Sequence, residues 1–105
     1  MANRHRGEIE AELDGRPHTL CLTLGALAEL EAAFGAEDLS ALAARFGEGR
    51  LSARDAIRIL GAGLRGAGES IDDHQVAAMR APNGAAGFAA IVSELLDATF
   101  GGGGG

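Results

Sequence analysis

EIEAELDGRPHTLCLTLGALAELEAAF, residues 8–34, is the stretch whose reading decides the fold. Ile9, Ala11 and Leu13 alternate with Glu8, Glu10 and Glu12. That period of two belongs to a strand with one buried face. Asp14-Gly15 follows, and a type I′ hairpin turn needs a positive φ at both of its central positions. A turn there sets Leu13 opposite Arg16, Ala11 opposite His18 and Ile9 opposite Leu20. Ile9, Ala11, Leu13, Leu20 and Leu22 then share one face, and the glutamates share the other with Pro17, Thr19 and Cys21. Pro17 has no N–H to give a ladder, which places it at an edge or a non-bonded site near the turn. Thr23 is a natural helix N-cap. Leu24, Leu27, Leu30 and Phe34 fall on one helical arc, and Gly35 suits the left-handed residue that ends a helix.

Beyond this stretch the chain reads as short helices separated by glycines. One is expected from Asp38 to Phe46, with Leu39, Leu42 and Phe46 turned inward. Ser52 opens the next, with Asp55 in the position of a capping-box acid. Ile57, Leu60 and Leu64 form its apolar arc, widened by Ile59. Gly61 and Gly63 weaken its interior or let another element approach closely. Ser70 to Asp73 start a fourth helix, with Ile71, Val76 and Met79 as core candidates, and Pro82-Asn83 breaks the chain. The last helix runs from about Gly84 to Thr99 with a stripe of Phe88, Ile91, Val92 and Leu95. The expected fold is α+β: an N-terminal antiparallel β-hairpin followed by four to five short helices in a small bundle. Residues 8–100 form a single domain, between a flexible N-terminus at 1–7 and a flexible poly-Gly tail at 101–105.

The totals bound what such a domain does. A chain of 105 residues is one domain with a modest core. Its hydrophobic fraction of 47% is rich in alanine, with four Phe and no Trp or Tyr, so each large apolar side chain counts. The net charge of −6 argues against a general phosphate-backbone binder. A lone cysteine, Cys21, excludes an internal disulfide and a cysteine-rich metal site. No apolar run reaches the length of a membrane span, and the N-terminus lacks the apolar segment of a secretory signal, so a cytoplasmic protein is expected.

No constellation of residues names a chemistry. The row Glu8, Glu10 and Glu12 reads as a solvated strand face, where like charge discourages edge pairing. His5, His18 and His74 are scattered without metal-ligand spacing. Cys21 has no neighbouring base and reads as a small strand residue. Neither a phosphate-binding loop nor a nucleophile elbow appears. The strongest charged feature is an arginine stripe, Arg54, Arg58 and Arg65, with Arg50 nearby; no aromatic residues interleave with it, so a base-stacking platform is not expected. A non-catalytic protein follows, with no cofactor, metal or small-molecule substrate.

The run LDGRPHTLCLTLGALAELEAAFG, residues 13–35, resembles the gene-transfer-agent family of short phage-type proteins, classed with the phage tail assembly chaperones. The resemblance continues through LAARF, LS and the following IL and GL to Leu64, and returns in LLDATFG near the end. It implies a bacterial protein encoded in a tail module. It further implies a tail assembly chaperone that binds the tape-measure protein, recruits tail-tube protein and leaves before the tail matures. A structural tail-tube or tail-completion subunit, retained in the virion or gene transfer agent particle, is the alternative. The motif is structural and brings no catalytic residues with it. The surface expected to meet a partner, or another copy of the chain, comprises Leu27, Leu30 and Phe34 of the first helix with Arg54, Arg58 and Arg65. No nucleic acid or membrane partner is expected.

Overall fold

The hairpin forms in the register that its turn dictates. The computed structural model describes residue 3, residues 6–48 and residues 50–101. Strands β1 (Glu8–Leu13) and β2 (Arg16–Cys21) pair antiparallel, with Leu13 opposite Arg16 and Ile9 opposite Leu20. Asp14 and Gly15 have φ of 54° and 74°, the two positive values of a type I′ turn. Asp14 has a second role. Its N–H donates to the Arg80 carbonyl at 2.8 Å and its carboxylate accepts from the Arg80 N–H at 2.9 Å, clasping the turn to a distant loop.

Five helices follow among the described residues: α1 (Leu24–Phe34), α2 (Leu39–Gly47), α3 (Ala53–Gly66), α4 (Asp73–Ala77) and α5 (Gly84–Phe100). The fold is α+β, a two-stranded sheet with five helices. Thr23, Asp38, Ser52 and Asp72 each accept a backbone N–H at a helix start. Ser52–Asp55 and Asp72–Gln75 are complete capping boxes. Of the flexible ends expected from the sequence, residues 1, 2, 4, 5 and 102–105, with His5 among them, lie outside the described residues.

The core is organised around α3. Six consecutive residues, Ile59 to Leu64, are buried, and the helix packs against β2, α1, α4 and α5. Glycine makes this crowding feasible. A Cβ on Gly63 would lie 2.8 Å from Leu95 Cδ2 and 3.3 Å from Leu20 Cβ, and one on Gly66 would overlap the Cys21 carbonyl. Ile9, Leu13 and Leu20 of the sheet, Leu30 of α1 and Leu95 of α5 close over α3 with 2% exposure or less.

Two expected core positions are corrected. Leu24 is 77% exposed and Leu39 is 42% exposed. Each is the first residue of its helix, where half of the neighbouring turn is missing. At about 100° per residue, Leu24 also lies roughly 100° from the centre of the arc made by Ala26, Leu27 and Leu30. Leu42 and Phe46 carry the inner face of α2 alone.

Candidate binding groove

The residues that the sequence assigns to a partner surface are largely engaged within the molecule. Leu27 and Leu30 are buried in the core at 8% and 0% exposure. Phe34 sits at the junction of three helices. Its ring meets Phe46 edge to face at 5.4 Å, and the guanidinium groups of Arg45 and Arg58 lie 4.7 and 6.0 Å from its centroid. Arg58 also donates to the Ala33 carbonyl at 3.0 Å, one of the carbonyls left open at the end of α1. Arg65 donates to Glu29 of α1, and at 3.0 Å to both the Ile71 carbonyl and Asp73 of α4. The arginines do share one side of α3, but α1 covers that side along Arg58 and Arg65. Arg54, at the helix start, is exposed. Phe34 and Arg58 are therefore brought together, while Arg65 is held apart in its own ion-pair cluster.

The other polar candidates are placed as follows. Hydrogen bonding to Glu29 raises the Arg65 pKa above its ordinary value, against the opposing effect of burial. His18 stands on the inner face of β2, its side chain 10% exposed, with Nδ1 2.7 Å from a Glu69 carboxylate oxygen. Its Nε2 is buried without a hydrogen-bond partner among the described residues. The Cys21 thiol donates to the Arg6 carbonyl at 3.7 Å. Burial, and then the negative charge of Glu8, push that thiol's pKa up against a smaller opposing pull from Arg6, which favours the unreactive protonated form. Glu10, Glu12 and His74 are exposed. No group of three potential metal ligands gathers among the described residues, and no helix is long and apolar enough to cross a membrane.

What the fold leaves open is a groove of about 730 Å³ along α5. Its floor and walls come from Phe46 of α2, from Ala56, Ile57 and Leu60 of α3, and from Val76 and Met79 around α4. Along α5 the groove is lined at every fourth residue by two adjacent rows. Phe88, Val92 and Leu96 make a row of large side chains. Ala85, Ala89 and Ser93 make a row of small ones. Such i, i+4 rows are the ridges and channels through which helices pack. Asp97 ends the small row and is the charged residue lining the groove. The sequence assigns Phe88 to the core stripe of α5. In the structure Ile91 and Leu95 turn inward, Val92 borders both regions, and half-buried Phe88 belongs to the groove wall. The signal was present as spacing: the small row sits beside the large row throughout residues 85–97. A surface of this kind takes up apolar side chains; it gathers no acid–base pair.

A family model described as phage tail tube protein, GTA-gp10, matches residues 6–102. No curated protein and no solved structure matches the chain.

Proposed function

We propose, since this chain belongs to the family of the phage tail tube protein GTA-gp10, that it serves a phage or gene transfer agent tail by binding other tail proteins, without catalysis. The observation that carries this reading is the family match, which takes in the hairpin and all five helices. The family's description favours a tail-tube component retained in the particle. The groove along α5, lined mainly by apolar side chains, is the surface through which this reading has the chain make a protein contact. Neither nucleic acid nor a membrane belongs to this reading: the net charge is −6, and two of the three stripe arginines are engaged with α1.

The groove favours a second reading. A tail assembly chaperone in the bacterial cytoplasm would hold an apolar segment of the tape-measure protein, keep it soluble and pass it to tail-tube protein. Quantitative mass spectrometry of purified particles separates the two. A tube component is present in stoichiometric ratio to the other tail proteins. A chaperone is scarce in the particle, its gene is still required for tails, and co-expression with it raises the soluble fraction of the tape-measure protein. Normal particles from a strain lacking the gene would overturn both.

A further inference from the structure

We propose that the α5 groove seats one amphipathic helix of a partner protein, and that this helix carries a basic residue beside its apolar stripe to meet Asp97. The proposal rests on the reading of the chain as a tail protein that works by contact. The lining runs from Ala85 to Phe100, about 22 Å at about 1.5 Å per residue. The two rows of α5 repeat every four residues along that length, the spacing of the ridges and channels between which another helix's side chains fit. A three- to four-turn helix presents such a row at i, i+3, i+4 and i+7. Backbone chemistry selects a helix over an extended segment. A mainly apolar lining offers few partners to the N–H and C=O groups of a strand, whereas a helix bonds its own backbone.

Charge selects the flank. The Asp97 carboxylate has no ion pair or hydrogen bond among the described residues. It stands exposed at the end of the small row, where a lysine or arginine of an incoming helix would reach it. A second copy of this chain is a poor occupant. Among the described residues its exposed large hydrophobics are Leu24 and Leu39, on different helices, so the apolar row it could offer is that of α5 itself, groove on groove. Groove-on-groove packing about a two-fold axis would match Asp97 with no basic counterpart from the same patch.

The test uses the full chain and a fluorescein-labelled synthetic helical peptide of about 15 residues, with leucines at the anchor spacing and a lysine on the flank. A second peptide carries glutamate in place of that lysine. Saturable binding of the lysine peptide is expected, with the glutamate peptide several-fold weaker. Ala89→Arg, at an exposed lining position, should weaken binding at least tenfold. Asp97→Lys should invert the preference between the two peptides. Both variants should keep the wild-type circular dichroism spectrum and melting temperature. The proposal is overturned by unchanged binding in Ala89→Arg, by a preference that Asp97→Lys leaves in place, or by a dimer that Ala89→Arg dissolves. Binding of dodecanoate with no peptide binding would overturn it too, assigning the groove to an acyl chain. The tail role is read separately, in particles. If the peptide fails to bind while deletion of the gene still abolishes tails, the groove assignment falls and the tail role stands. If the peptide binds while the deletion strain makes normal tails, the groove assignment stands and the tail role falls.

Discussion

The Arg65 guanidinium ties α3 to α1 through Glu29 and to α4 through Asp73 and the Ile71 carbonyl. Both acids are 45% exposed, so solvent screens them and the clasp is modest. Arg65→Met should lower stability by about 1 kcal/mol in urea titration, and less in about 1 M salt. His18 makes a contrasting case. Its Nδ1 bond to Glu69 is offset by a buried, unpartnered Nε2. Replacing a half-satisfied polar group by an apolar one of similar size is often neutral. His18→Leu should therefore shift the urea midpoint by less than about 1 kcal/mol in equivalent stability, whereas a linchpin role would show a larger loss. Cys21 gives a pH prediction. A thiol pKa raised by folding means less thiolate at a given alkaline pH, so iodoacetamide should label the folded chain more slowly than the unfolded chain. The same shift contributes stability below the ordinary thiol pKa that is lost as pH rises through the raised value. None of these roles is legible in the sequence. Arg65 finds its partners 36 and 8 residues away, and a helical wheel shows which face a side chain is on without showing what lies over it.

At the scale of elements, local chemistry was readable and crossing points were not. The hairpin register follows from Asp14-Gly15 and a period of two, both contained in the fourteen residues from Glu8 to Cys21. The α3 start follows from Ser52 and Asp55, and Ser52→Ala should cost about 1 kcal/mol by removing the hydroxyl that accepts from the Asp55 N–H. The central place of α3 is different, since it depends on which elements meet at Gly63 and Gly66. In a sequence those glycines read equally as weak points or as packing sites. The structure separates the cases. Gly66→Ala pushes a methyl group into the Cys21 carbonyl, and neither backbone can yield without disturbing the helix–strand contact. It should destabilise by about 3 kcal/mol, as overpacking does. Gly47→Ala meets nothing within 4 Å and should leave stability unchanged or raise it by about 0.5 kcal/mol. A urea series on the two variants checks both, and equal effects would contradict the crossing geometry.

At the scale of the whole molecule, a two-stranded sheet covers too little of α3 and α5 to enclose them. Hairpin, α1 and α2 close one part of the core, and short α4 leaves the outer rows of α5 uncovered. Leu27 and Leu30 of α1, expected on a partner surface, are spent in closing the core, while α5 is long enough to have apolar rows to spare. An open apolar groove is a stability that the isolated chain forgoes. Filling it should therefore stabilise the free protein and impair its binding, a separation that core mutations do not produce. Ala89→Leu is the suitable change, because position 89 is exposed, faces the groove and lies on a helix that tolerates leucine. Partial burial of the added carbons between the α3 and α5 walls contributes about 1 kcal/mol. In a domain of this size that raises the melting temperature by about 4 °C. Calorimetry of the free chain should show the rise, and titration with the lysine-flanked helical peptide should show weaker binding for the same variant. A rise without loss of binding would mean that the groove is a packing defect; a fall in melting temperature would mean that its walls are already closed.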